Sequence, residues 1–266
     1  MAGPVTILGA SGFVGRRLLR RLEADGREVY APRRDEDVLG RDLGSVLYLA
    51  GLTADYDARP FDTVEAHASL VSELIRGGRF DRLVYASSTR LYDGQAQGRE
   101  TDPLSFQVDD PRRVYDLSKA LGENLTLART DGRGAVARLA NVYDWEPGSP
   151  GFLSEWLIQA SGSRRLSLNS SPHIARDYIH LDDVVDALVA LEGAAGAGVV
   201  NVASGELVTN AAIAKVFEAH GWVVSFDGEG RWPSPPRCEV FRLAALGVSP
   251  RRVEDVVARH LSEIAA

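Results

Sequence analysis

Cysteine is almost missing from this chain. Cys238 stands alone, so no internal disulfide can form and a reducing compartment is expected. Beside a proline-rich loop, a lone cysteine reads as incidental rather than catalytic. Lysine is nearly as scarce: of 30 basic residues only Lys119 and Lys215 are lysines. No apolar run approaches the roughly 20 residues of a membrane span, and no signal peptide is expected, because the first apolar strand begins at about Val5. No His/Cys/Asp cluster has metal-ligand spacing, so no metal is expected. Positive charge is in deficit, and the net charge of -7 argues against a nucleic-acid or anionic-membrane surface. Repeats and low-complexity tracts are absent. What remains is a chain of 266 residues, 45% hydrophobic and 25% charged, expected to be cytoplasmic. It is long enough for one large domain or a core domain with a lobe.

The stretch that organises the chain is Val5-Thr6-Ile7-Leu8-Gly9-Ala10-Ser11-Gly12-Phe13-Val14-Gly15. An apolar run ends in three glycines spaced three apart, and Phe13 to Leu22 then repeats apolar residues at helical spacing. That predicts strand, tight turn and helix. Gly9 permits the sharp exit, Gly12 lets backbone approach a ligand, and Gly15 lets the helix pack closely on the sheet. The free N–H groups of the helix's first turn favour an anion such as a pyrophosphate. Ser11, Phe13 and Val14 belong to the same expected cofactor cradle. Glu28–Ala31 reads as a second strand, ending at Pro32-Arg33-Arg34. Arginines there suit the 2′-phosphate of NADP, whereas an acidic residue would suit NAD. NADP is therefore favoured over NAD, with Asp35 and Asp37 close by as a counter-signal.

The polar segment Asp35–Gly44 looks trimmed, since a regular doubly wound fold would often carry another helix and strand there. Val46–Gly51 is the next strand, its end (Leu49, Ala50, Gly51) beside the cofactor. Phe61–Ile75 reads as one amphipathic helix stopped by Gly77-Gly78, with His67 as a surface or packing residue. Leu83–Ser88 is a buried strand that turns polar at its carboxyl end, where ligands of open parallel sheets bind, so Ser87, Ser88 and Thr89 are well placed. Residues 93–110 read as a loop over the site. Tyr115-Asp116-Leu117-Ser118-Lys119 then opens a helix to about Thr130. Residues four apart share a helix face. A tyrosine of pKa near 10 is a poor acid or base at neutral pH, and a neighbouring ammonium would lower that value into a working range.

Taken together, Gly9/Gly12/Gly15, Ser88 within Tyr85–Tyr92, and the Tyr115/Lys119 pair resemble the short-chain dehydrogenase/reductase superfamily, in its extended branch of nucleotide-sugar epimerases, dehydratases and reductases. Arg138–Tyr143, Arg176–Val184 and Asn201–Gly205 extend the resemblance along essentially the whole chain. It implies an α/β fold, a Rossmann-like doubly wound parallel sheet with a smaller C-terminal substrate lobe. Residues 1–141, with a returning segment at about 174–203, would bind NAD(P); residues 142–173 and 204–266 would form the substrate lobe. Asn201–Gly205 would be the turn entering a helix of that lobe.

By position, the resemblance makes Ser88 the group that polarises the substrate oxygen, Tyr115 the acid/base, and Lys119 the ribose-binding cation that lowers the tyrosine pKa. Thr89, Asn141 and Arg176 would hold the sugar nucleotide, Arg176 by gripping phosphate oxygens. Thr89-Arg90 stands where dehydratases carry an acidic pair and decarboxylases a glutamate, which disfavours both chemistries. His67 stands where many relatives have asparagine. The expected function is keto-sugar reduction or epimerisation on a nucleotide-linked sugar. Alternatives are a reductase of a non-sugar carbonyl and a non-enzymatic dinucleotide sensor. A homodimer pairing the helices Phe61–Ile75 and Arg112–Thr130 is expected.

Overall fold

The first strand, β1 (Val5–Leu8), carries Val5, Thr6 and Ile7 with no exposed surface on either face, the pattern of a strand inside a parallel sheet. A computed structural model describes residues 3–53, 55–196 and 198–265. After the glycine turn comes α1 (Phe13–Ala24), then a two-residue β2 (Val29–Tyr30) and β3 (Ser45–Tyr48). No helix intervenes between β2 and β3, as the polar segment predicts. The helical segments α2 (Pro60–Val64) and α3 (Leu70–Gly77) lead to β4 (Arg82–Ser88), and α4 (Val114–Ala128) leads to β5 (Gly134–Leu139).

Beyond β5 lie β6 (Asn141–Tyr143), α5 (Phe152–Ala160), β7 (Arg165–Leu168), β8 (Ala175–Arg176) and β9 (Tyr178–His180). Next come α6 (Leu181–Gly193), β10 (Gly198–Val202), β11 (Val208–Thr209), α7 (Asn210–Ala219) and β12 (Val223–Phe226). Two helices close the described chain, α8 (Phe241–Ala245) and α9 (Val253–Ala265).

Six parallel strands form the central sheet in the order β10-β5-β4-β3-β1-β2. The fold is a Rossmann-like α/β fold with helices on both faces. Helices α1 and α6 cover one face around Leu18, Leu22, Val184 and Leu188. The other face buries Leu47's neighbours Val46 and Tyr48 with Val71, Leu74 and Tyr85. Strand order reverses between β1 and β3, and ligands of such sheets bind in the crevice at that point. A separate apolar cluster joins Leu153, Trp156, Leu157, Phe217 and Val257 from α5, α7 and α9 with Trp222 just before β12. Thr209 caps α7, its hydroxyl accepting from Ala212 N at 3.1 Å.

Two local expectations are corrected. The helix expected over Phe61–Ile75 is interrupted by a π-helical turn at Glu65–Ser69 between α2 and α3. Ala66, His67 and Ala68 are all buried there. Three consecutive residues span about 200° of an α-helix and cannot share one inward face, so the wider turn is what takes all three inside. Gly122 in α4 sits against this turn, where a Cβ would run into the Tyr85 hydroxyl and the His67 carbonyl. Tyr85 Oη donates to that carbonyl at 2.9 Å.

The second correction concerns Asn201–Gly205. Asn201 and Val202 finish β10, the edge strand paired with β5, and only Ser204-Gly205 forms a turn. The Asp177 carboxylate accepts from Ser204 N, Ser204 Oγ and Gly205 N at 2.7–2.8 Å. A five-residue strand behind a glycine-alanine stretch carries too little periodicity to stand out. The loop over residues 93–110 is tied down where Gly98 bonds Arg237 O and Glu239 N across Cys238. Cys238 is buried and its thiol is pushed up to about 12 by that burial.

Helix α4 is anchored to β5 by one buried ion pair, Arg138 Nε and Nη2 donating to Glu123 Oε1 and Oε2 at 2.9 and 2.6 Å. Removing one partner leaves an uncompensated buried charge. Glu123→Leu is therefore expected to destabilise the protein by about 3–5 kcal/mol, read as a lowered midpoint of urea unfolding.

Candidate active site

The glycine turn is built by backbone contact. Gly9 has φ +93°, and a Cβ there would lie 2.7 Å from Ala50 N on the neighbouring strand end. A Cβ on Gly15 would run into the Gly9 carbonyl. Gly12 is the N-cap of α1 and no side chain caps that helix, so its first-turn N–H groups are open to an anion. Ser11 and Gly12 are exposed, and Phe13 and Val14 are half-buried. This turn, the uncapped helix start and the crevice between β1 and β3 fit a dinucleotide.

Leu49 and Ala50 are half-buried and Gly51 is exposed just past β3; Ser87 is buried near the end of β4 with its hydroxyl unpartnered. Arg33 and Arg34 are exposed beyond β2. Alongside them Tyr30 Oη donates to Glu36 at 2.5 Å, and Arg41 lies 4.3 Å over the Tyr30 ring. Arg41 lies 3.5 Å from that Glu36 carboxylate, and the Arg33 guanidinium lies 3.8 Å from Asp35.

Tyr115, in the first turn of α4, is 6% exposed. The Tyr56 ring lies 5.2 Å away, the His67 ring meets it edge-on at 5.1 Å, and the Arg90 guanidinium is 5.2 Å from its centroid. Burial pushes the phenol above its ordinary pKa, while hydrogen bonding from Ser88 and the Arg90 charge pull it back. Lys119 is buried and its ammonium donates to Ala86 O at 2.8 Å, turned toward the sheet. Burial brings it down to about 7, opposed by Glu123. A buried ammonium needs an acceptor, and the strand-end carbonyl supplies it.

Three site residues escape the sequence reading. Tyr56 lies in an irregular loop and has no motif. Arg90 registers in the sequence only as a missing carboxylate. His67, expected at the surface or in packing, is fully buried. Ser118 Oγ donates to Tyr115 O at 3.0 Å, which leaves its oxygen to accept from His67 Nδ1 at 2.9 Å. His67 Nε2 has no hydrogen-bond partner by geometry among the described residues. A Cβ at Gly51 would lie 2.9 Å from it and 3.4 Å from Lys119 Nζ. Burial and the Lys119 charge bring His67 down to about 3, so the ring is neutral. The asparagine-for-histidine difference is the one sequence signal that marks it.

Farther along the chain, Thr89 Oγ1 donates to Leu139 O at 3.4 Å, and Asn141 is exposed with Nδ2 donating to Asp177 O at 2.9 Å. Arg176, on β8, lies 4.8 Å over the Phe152 ring. Its Nη1 is buried and unpartnered, and it forms no ion pair among the described residues. A cation held this way suits an external anion.

The sequence model of the NAD dependent epimerase/dehydratase family matches residues 5–203. UDP-glucuronic acid decarboxylase 1 of Xenopus tropicalis is 21% identical over 85% of the chain, which spans 63% of that relative's length. A dTDP-4-dehydro-6-deoxy-D-allose reductase of Streptomyces bikiniensis is 24% identical over 81% of the chain and 80% of the relative. Among solved structures, MoeE5 in complex with UDP-glucose and NAD has a TM-score of 0.80 at 21% identity, covering 98% of each chain. That likeness establishes the shared fold. Among the described residues, no helix is long and apolar enough to cross a membrane.

His67 also makes a stability prediction. Its folded pKa of about 3 lies below the ordinary value near 6.5, so between these values the unfolded chain binds a proton that the folded chain does not. Stability from this group is present above about pH 6.5 and is lost as pH falls toward 3. His67→Asn is expected to flatten the fall in urea midpoint between pH 7 and pH 4 by about one proton's worth, measured beside wild type.

Proposed function

The chain belongs to the NAD dependent epimerase/dehydratase family, and we propose that it reduces or epimerises a ring carbon of a nucleotide-linked sugar. The observation that carries this reading is the placement of Ser88 and Tyr115 together at the carboxyl end of β4 and the start of α4. There one hydroxyl can hold a substrate oxygen while the other exchanges its proton. Bound NAD(P) supplies or accepts hydride at the same carbon. In this reading Ser88 orients the oxygen, Tyr115 gives or takes the proton, and Lys119 holds the nicotinamide ribose. Ser87 and Leu49–Gly51 line the cofactor's nicotinamide half, and Gly9, Ser11, Gly12, Phe13 and Val14 cradle its pyrophosphate.

Residues 1–141 with 174–203 form the cofactor lobe, and 142–173 with 204–266 the substrate lobe. Arg176, which has no ion pair among the described residues, grips the diphosphate with Asn141, and Thr89 meets the sugar. Arg90 in place of an acidic residue argues against dehydration and decarboxylation. Arg33 and Arg34 favour NADP(H) over NAD and so tilt the reading toward a ketoreductase, with Glu36 as the opposing charge. The exposed Phe61, Val64 and Leu121 on α2 and α4 form the face of an expected homodimer, in a cytoplasmic enzyme.

Two outcomes test this reading. Tyr115→Phe is expected to cut turnover of a nucleotide-linked keto-sugar by roughly 10²–10⁴-fold while the Kd for NAD(P)H stays within about twofold. Unchanged turnover would remove the acid/base assignment. The paired variant Arg33→Ala/Arg34→Ala is expected to weaken NADPH binding at least ~10-fold, the loss of a charge-assisted contact, and to leave NADH binding nearly unchanged. Titration by nucleotide fluorescence distinguishes the two, and equal effects on both cofactors would refute the NADP preference.

A further inference from the structure

Next to Tyr115 lies a side chain that no motif marks. Strand β3 ends at Tyr48, and the chain reaches α2 through an irregular connection that carries Tyr56. A connection leaving the carboxyl end of a strand in such a sheet borders the crevice where ligands bind. Two hydrogen bonds hitch it to α2: Arg59 N donates to Asp55 O at 2.9 Å, and Thr63 Oγ1 to Tyr56 O at 3.4 Å. The ring itself is fixed by Arg90. Nη1 donates to Tyr56 Oη at 2.6 Å, and the guanidinium lies 4.6 Å over the ring. Arg90 is in turn restrained by the carboxylate of fully buried Asp116, 3.1 Å from Nε, and by Arg112 O, 3.2 Å from Nη2. Five N–H donors in a planar fork make this multiple anchoring possible.

We infer that Tyr56 is a wall of the sugar pocket, a specificity-determining residue that lies against the sugar ring, with Arg90 as its positioning residue. The Tyr56 ring stands 5.2 Å from that of Tyr115, tilted by 55°. It is half-buried, so part of it stays open beside the site while the rest packs on Arg90 and Tyr115. Its oxygen accepts from Arg90, and its own O–H has no acceptor among the described residues. A tyrosine held this way offers a sugar two contacts. The aromatic face is partially negative and attracts C–H edges, and the hydroxyl can donate to one ring substituent. Because Arg90 fixes the side chain in advance, less conformational entropy is lost when a ligand arrives. The inference rests on Tyr115 being the acid/base of a nucleotide-sugar enzyme.

In the same reading the nucleotide is held by other elements. Arg176 stands on β8 and Asn141 on β6, whereas Tyr56 belongs to the connection between β3 and α2. Removing the Tyr56 ring therefore takes a contact from the sugar and none from the nucleotide. A ring that only packed on Tyr115 would alter the binding of both, by loosening the site, or of neither.

The test measures, by calorimetry on the full chain, UDP-glucose against UDP, dTDP-glucose against dTDP and GDP-mannose against GDP. Tyr56→Ala is expected to raise the Kd of the sugar nucleotide by about 5–10-fold, as loss of an aromatic contact does, and to leave that of the free nucleotide within about twofold. Tyr56→Phe, which keeps the ring, is expected to give the smaller part of that loss. Arg90→Met is expected to weaken the sugar nucleotide about threefold by itself and to add nothing in the Tyr56→Ala background, because residues that act through one another are not additive. Arg90→Gln gives the same cycle if the methionine variant melts early. Equal effects on both members of a pair, no effect on either, or additive losses from Arg90 and Tyr56 would overturn the inference. Wild-type protein that binds none of the three pairs would overturn the functional reading on which the inference rests.

Discussion

The contact on which the rest depends is backbone against backbone at the switch point of the sheet. Gly9 lies so close to Ala50 N, and Gly15 so close to the Gly9 carbonyl, that neither position admits a Cβ. That approach brings the start of α1 down onto the ends of β1 and β3, aims uncapped N–H groups into the crevice between them, and sets where an anion can bind. The same crevice is bordered by Gly51, whose missing Cβ makes room for the His67 ring. The glycine turn and the surroundings of Tyr115 are thus brought together by three glycines.

Around Tyr115 the determining quantity is burial. The phenol, His67 and Lys119 are each displaced from ordinary behaviour first by desolvation and only then by their neighbours' charges. Burial favours the neutral form of all three, which raises the acid and lowers the two bases. Arg90, partly exposed and ion-paired to Asp116, lies beside them at moderate desolvation. The buried Arg138–Glu123 pair, by contrast, neutralises itself and serves to clamp α4 to β5.

Much of this was legible because periodic and glycine signals are local. The strand–turn–helix of residues 5–24, the trimmed link between β2 and β3 and the helix at Tyr115 follow from residues within a few positions of one another. The π turn was not legible, because inward burial of Ala66, His67 and Ala68 is imposed by α4 and Tyr85, far away in sequence. Strand β10 was hidden for a similar reason: its partner is β5, and a short apolar run takes its identity from that pairing. Lys119 was placed on the correct helix face, but the direction of its ammonium depended on the Ala86 carbonyl, which no spacing rule supplies.

The sequence by itself determined the fold class, the family and the residue types that gather at the strand ends, since each is encoded by periodicity, turn chemistry and motif spacing along the chain. Only the tertiary structure decided that Arg90 lies over the Tyr115 ring and that His67 lies inside. It also decided that Asp177 holds the Ser204-Gly205 turn while Arg176 is left without an ion-pair partner among the described residues. The physical reason is that electrostatic effect depends on distance, direction and desolvation together. Those three quantities exist only once β4, α4 and the π turn have been packed against one another.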